Sequence, residues 1–239
     1  MKEKIIFCWS SGKDSALALY KIYASKRYEV ISLLVTVTEG YERISMHGVR
    51  KALVEMQREA LGLPLETVFI PKDSTNAAYE AGMQLALSKF KQRGVNTVAF
   101  GDIFLQDLRD YRENNLAKLG MSALFPLWKC NSSVLANEFI DLGFKAIVTC
   151  VDTRVLGREF CGREFNRDFL AQLPKSADPC GENGEFHTFT YAGPIFSREI
   201  DCARGELVLR DNRFFYCDLI QPAPCPSTID PLATLREFK

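Results

Sequence analysis

The stretch Phe7, Cys8, Trp9, Ser10, Ser11, Gly12, Lys13, Asp14 and Ser15 passes from apolar residues into small ones just ahead of a helical pattern. Small side chains let backbone N–H groups approach an anion closely, and a helix start adds free donors and the positive end of its dipole. The segment therefore reads as a phosphate cradle. Lys13 would neutralise charge, Ser10, Ser11 and Ser15 would donate hydrogen bonds, and Asp14 would orient the loop or hold Mg2+ indirectly. The same residues would also make an ordinary helix start, with Ser11 or Asp14 capping the first-turn amides. A Walker A loop is excluded by counting, because its first glycine would fall at Phe7 and Asp14 stands where Ser or Thr must follow the lysine. A Gly-x-Gly-x-x-Gly fingerprint is absent as well.

A second constellation lies far downstream. Asn183-Gly184 is a strong two-residue turn signal, and the ends of such a turn, Glu182 and Glu185, would have Cα atoms within about 7 Å. Two carboxylates facing one site can hold a cation, Mg2+ or ammonium, or raise one partner's pKa until it acts as a base. If the chain continues extended, His187 shares the side of Glu185 while Phe186 and Thr188 face the other way. The bland alternative is a solvated hairpin tip. Of the other candidates, His47 precedes a helix with Arg50 and Lys51 and could touch substrate or nucleotide, or simply lie on the surface. Asp102 follows a strand, where open α/β sheets bind ligands, and would otherwise cap a helix. Phe125 and Trp128 read as core or as an adenine stack.

The elements that must position these residues alternate. Strands are expected at Ile5 to Trp9, Val30 to Val37, Leu65 to Ile70, Val95 to Phe100 and, short, Met121 to Phe125. Between them, helical spacing covers Asp14 to Arg27, Val49 to Leu61, Thr75 to Arg93 and Leu105 to Leu119. Such alternation argues a doubly wound parallel sheet of about five strands. Past residue 126 the pattern changes. A helix from Ser132 to Leu142 and a strand from Phe144 to Val151 continue the α/β style, Leu173 to Gly184 must be largely loop, and Gly205 to Ile220 reads as a hairpin about Asp211-Asn212. The expected division is 1–125, an α/β domain, and 126–239, a smaller α+β half, with Pro222 to Pro226 a surface tail or linker.

Composition fits an ordinary globular protein: 239 residues, 47% hydrophobic, with 30 basic against 30 acidic side chains. Zero formal net charge disfavours bulk nucleic-acid binding. No stretch approaches the roughly 20 apolar residues of a membrane span. Eight cysteines without a Cys-x-x-Cys pair read as thiols in a reducing cytoplasm, with neither a disulfide framework nor a zinc knuckle.

Ser10-Ser11-Gly12-Lys13-Asp14-Ser15 resembles the Ser-Gly-Gly-x-Asp-Ser loop of the N-type ATP pyrophosphatases, with Ser11 in place of the first glycine. Asp178-Pro179-Cys180-Gly181-Glu182-Asn183-Gly184-Glu185-Phe186-His187-Thr188-Phe189, followed by Gly193-Pro194, is similar to the signature of the diphthine ammonia ligase family. Gly101-Asp102-Ile103 and Pro126-Leu127-Trp128 match shorter segments, so the likeness covers about residues 4 to 196. It implies a HUP, Rossmann-like ATP-binding fold at 1–125, a substrate-binding half at 126–239, and ATP-dependent amidation of a carboxylate by ammonia, releasing AMP and pyrophosphate. Under the resemblance Ser10, Ser11, Gly12, Lys13, Asp14, Ser15, Gly101 and Asp102 bind ATP with Mg2+, and Glu182, Glu185 and His187 are catalytic. His47, read from its own position, and Asn183, Gly184 and Thr188 of the signature are expected to contact substrate.

The implied acceptor is diphthine on an elongation factor. Ser45-Met46-His47-Gly48-Val49-Arg50 and Leu108-Arg109-Asp110-Tyr111-Arg112-Glu113 depart from the diphthine-specific branch and leave another carboxylate, such as a corrinoid, open. tRNA thiolation or lysidine formation would want a basic module or paired cysteines, which are absent. A non-catalytic ATP-binding regulator and a homo-oligomer stay open.

Overall fold

Ile5, Ile6 and Phe7 are fully buried in β1 (Glu3–Cys8), the central strand of a sheet whose two faces are both covered. The computed structural model describes residues 1–40, 43–44, 48–71 and 75–222, so His47 and most of the Pro222 to Pro226 stretch lie outside the described residues. β1 is flanked by β2 (Tyr28–Thr38) and β5 (Thr97–Ala99), with β4 (Leu65–Ile70) beyond β2 and β6 (Ser122–Leu124) beyond β5, all parallel. The five expected parallel strands are present. A sixth, β3 (Arg43–Ile44), was not legible; it pairs antiparallel with Val37 and Thr38, past the point where β1 ends.

α1 (Lys13–Ser25) and α2 (Lys51–Leu61) pack on one face, and α3 (Asn76–Gln92) and α4 (Gln106–Ala117) on the other. Each face buries its own apolar cluster. Ile6, Leu34, Val98 and Phe100 pack with Leu87, Phe90 and Leu116 of the second helix pair. Ile5, Phe7 and Leu33 pack with α1 and α2 in a cluster that runs on without a break into Phe139, Phe165, Phe169, Phe186 and Phe189. That continuity explains α1: Ala16, Leu17, Ala18, Leu19 and Ile22 are all buried, because the helix is covered on more than its sheet side. Tyr23, next to Ile22 in the last turns of α1, is 37% exposed.

The remaining elements are α5 (Ser132–Asp141), β7 (Lys145–Asp152), a 3-10 turn at Arg158–Phe160, α6 (Arg167–Gln172), β8 (Phe186–Ala192), β9 (Ala203–Arg210) and β10 (Phe214–Ile220). The strands form a second sheet in the order β8-β7-β10-β9, antiparallel throughout. The strand expected from Phe144 is β7, but it does not continue the parallel style. Its run is buried from Ala146 to Asp152, and a strand buried on both faces shows no alternation from which its pairing could be read. Asp211 and Asn212 take φ values of 51 and 49 with Arg213 N–H donating to the Arg210 carbonyl, the turn that joins β9 to β10. No described helix is long and apolar enough to cross a membrane.

Candidate active site

Strand order reverses between β1 and β5, and in such sheets the crevice at the carboxyl ends of these two strands is where ligands bind. The loop after β1 fills one side of it. Ser10 Oγ lies 2.7 Å from Ser15 Oγ, Ser15 Oγ accepts the Ser10 N–H, and Ser10 Oγ accepts the Gly12 N–H. The loop is thus closed onto the first turn of α1 by its own serines. Gly12 is the N-cap and has no capping side chain, so the helix start is not sealed by Ser11 or Asp14. Ser11 stands in the left-handed region at φ 70, is fully buried, and its Oγ has no partner. The serine therefore adopts the conformation that a glycine would take more easily. Gly101 closes the other side: a Cβ there would sit 3.0 Å from Ser15 N and 3.1 Å from the Asp14 carbonyl carbon. Only a glycine lets the β5 loop lie this close to the helix start.

Lys13 is 3% exposed. Its ammonium is bonded to both Asp14 oxygens at 2.9 and 2.8 Å and to the Cys180 carbonyl, and it lies over the Phe186 and Phe165 rings at 5.2 and 5.5 Å. Burial alone would depress its pKa; the adjacent Asp14 carboxylate, with Glu182 further off, outweighs this and keeps it protonated. The sequence suggested a lysine turned to phosphate. The structure turns it to the loop at 178–182.

That loop is not a β-hairpin tip, since no strand precedes it. Asp178 Oδ1 accepts the Cys180 and Glu182 amides, and Gly181, at φ 68, has no room for a Cβ beside the Phe186 carbonyl. Glu182 and Glu185 consequently do not face one site. Glu182 Oε1 accepts the Ile103 and Phe104 amides at 2.7 and 3.3 Å, bridging to the loop after β5. Glu185, 4% exposed, turns inward, where its Oε1 accepts from Asp178 N–H and Asn183 Nδ2 and its Oε2 has no partner. Burial, then the charges of Asp14 and Asp102, push the Glu182 carboxyl up to about 7, against the pull of its two amide donors. Burial and the Lys13 charge bring His187 down to about 4, so its imidazole is neutral.

Along β8 the expected alternation holds, but the face that meets the cradle is the other one. Thr188 Oγ1 accepts the Lys13 N–H at 3.0 Å, beside the Phe186 ring under Lys13. Asn183 and Gly184 belong to the turn and bond within it. Asp102 is paired with Arg112 of α4, Nε to Oδ2 at 2.6 Å. Phe125 stacks on Phe100 and, with Trp128, carries the Arg109 guanidinium. Residues that sequence reasoning passed over are Asp178, Cys180, Arg112 and Gln57. Gln57 left a signal: it is a polar side chain on the buried stripe of α2, in line with Leu53, Val54 and Ala60.

Fold and site define an α/β protein of the doubly wound class, with a serine-glycine loop at the switch point and a second sheet locked against it. The chain matches the diphthamide synthase N-terminal domain over residues 3–123 and the diphthamide synthase C-terminal domain over residues 131–219, and it belongs to that family. It is similar to proteins named diphthine-ammonia ligase. The one from Danio rerio is 25% identical over 236 residues, covering 89% of this chain and 91% of the relative. Those from Mus musculus and Homo sapiens are 29% and 27% identical, each covering 74% of this chain and 68% of the relative.

Proposed function

We propose that the chain is an ATP-dependent ligase that joins ammonia to a carboxylate, with diphthine, which the relatives' name specifies, as the leading acceptor. The observation that carries this reading is the uncapped start of α1, with a buried, unpartnered Ser11 hydroxyl in the loop that leads into it. The first-turn amides beyond the Lys13 N–H, which Thr188 Oγ1 already accepts, together with a spare hydroxyl donor suit the oxygens of a polyphosphate. Among the described residues no group of three or more His, Cys, Asp or Glu side chains could hold a metal. Mg2+ would arrive on the nucleotide and contribute charge neutralisation, with Asp14, in the first turn of α1, a carboxylate able to steady it.

The acceptor carboxylate attacks the α-phosphorus, pyrophosphate leaves, and the acyl adenylate is taken by ammonia to give amide, AMP and a proton. The chain's part is to hold the reactants in line and receive that proton. Glu182, half-buried in the crevice with a carboxyl that ionises near 7, suits both attraction of ammonium and acceptance of its proton. Glu185 shapes the loop that carries Glu182. Thr188 braces the Lys13 amide from β8, the Lys13 charge helps to hold His187 neutral, and His47 remains a candidate acceptor contact. With ATP labelled in its α-phosphate, ammonia and a diphthine-bearing acceptor, AMP, pyrophosphate and amide should form in equal amounts. Stoichiometric ADP and phosphate, or ATP binding without turnover on any carboxylate tried, would overturn the proposal, the latter in favour of a regulator.

A further inference from the structure

The side chain of Gln57 is fully buried, more than 40 residues from the loop in sequence, yet it touches that loop and both of its supports. Its Oε1 accepts the Trp9 indole N–H at 2.8 Å, and its Nε2 donates to the Ser11 carbonyl at 3.1 Å and to the Thr190 carbonyl at 2.6 Å. An indole nitrogen only donates and a peptide carbonyl only accepts, so one amide orientation alone satisfies all three partners. Thr190 N–H also donates to the Ser11 carbonyl, at 2.9 Å. Two donors thus hold this one oxygen, and it belongs to the residue at φ 70.

Fixing the Ser11 carbonyl on the α2 and β8 side has a consequence at the next atoms. The peptide that follows is planar, so pinning its oxygen aims the Gly12 N–H the opposite way, toward Ser10 Oγ, which accepts it at 3.3 Å and closes the loop onto the start of α1. The left-handed conformation of Ser11, which costs an ordinary residue free energy, needs such an outside restraint to persist. We infer that Gln57 is a positioning residue for the phosphate cradle: it touches no reactant, and it holds Ser11 in the conformation that opens the loop to a nucleotide. The inference rests on the proposed function only in taking ATP as the ligand.

The test uses the full chain, with ATP affinity by calorimetry and the thermal midpoint measured in parallel. Gln57→Met keeps length and loses both donors. With the Gln57 donors gone from the Ser11 carbonyl, ATP should bind at least about 10-fold more weakly in the folded variant. Gln57→Glu is closer in shape and has a distinct signature. As a carboxylate it faces two carbonyl oxygens; once protonated, its O–H can again donate to one of them. Burial and those carbonyls raise its pKa, so the ratio of variant to wild-type ATP affinity should rise as pH falls from about 8.5 to about 6. Groups that titrate in both proteins, Glu182 among them, cancel in the ratio.

A role confined to packing would lower both midpoints and leave ATP affinity of the folded protein and the pH ratio unmoved. Either unchanged affinity in folded Gln57→Met or a flat Gln57→Glu ratio overturns the inference. If Gln57→Met does not fold, the Gln57→Glu ratio decides alone. Failure of wild-type protein to bind ATP would instead refute the proposed function, so the two failures are distinct.

Discussion

Replacing Ser11 by glycine is expected to make the protein more stable and a weaker ATP binder. Ser11 holds φ 70 with a fully buried hydroxyl that has no partner. The left-handed backbone costs an L-residue about 1–2 kcal/mol, and an unpaired buried polar group about 1–3 kcal/mol. Glycine removes both and returns roughly 0.5–1 kcal/mol through the freedom of the unfolded chain. The net gain should be near 2 kcal/mol, which for a domain of this size raises the melting temperature by roughly 4–8 °C. Ser11→Ala drops the hydroxyl but keeps the strain, so it should gain less, and the difference between the variants isolates the backbone term. In nucleotide binding the sign reverses. Loss of a hydroxyl donor to a charged phosphate oxygen is expected to weaken binding at least about 10-fold in both variants. Calorimetric melting without nucleotide and titration with Mg-ATP measure the two quantities. A glycine variant that melts at or below wild type would show that Ser11 is not strained; unchanged affinity would remove its hydroxyl from the cradle.

Amide formation should rise with pH through a midpoint near 7 as Glu182 ionises, and Glu182→Gln should abolish that limb while sparing ATP affinity, as pH-rate profiles can show. The same raised pKa has a stability consequence: the folded state favours the protonated carboxyl, so wild type should lose stability relative to Glu182→Gln as pH rises through about 7 in denaturant titrations. Lys13→Met leaves the Asp14 carboxylate and Cys180 carbonyl without their cation; since Asp14 is 30% exposed, the expected loss is about 2 kcal/mol, below that of a fully buried pair, read from urea unfolding. Gly101→Ala should force the β5 loop away from Ser15 and raise the KM for ATP about 10-fold or more with little change in melting temperature.

The α/β half was legible because its strands and helices are punctuated in the chain: Pro71 after β4, Gly94 after α3, and small residues before α1. The position of the Ser10 to Ser15 loop between β1 and α1 could be read for the same reason, being one contiguous stretch. What escaped was set by distance. The turn at Asn183-Gly184 suggested a hairpin and a carboxylate pair, but Asp178 organises that loop from five residues upstream of Asn183 and sends Glu182 and Glu185 to different partners. Lys13 looked like a phosphate ligand because its neighbours in sequence are the loop. Its neighbours in space are Cys180, Phe165 and Phe186.

The bonds from Thr190 N–H to the Ser11 carbonyl and from Lys13 N–H to Thr188 join residues far apart in the chain, 175 positions for the second. A ribosome makes Ser10 to Ser15 early and Thr188 to Thr190 late, so a loop synthesised among the first is braced only near the end. Early strands and helices can form as they emerge, yet the cradle must wait for β8. Contacts of such sequence separation are slow to close in refolding as well. A nascent or prematurely ended chain lacking β8 would therefore carry the loop without the strand that holds it open, and competence would arrive only when most of the chain has been made.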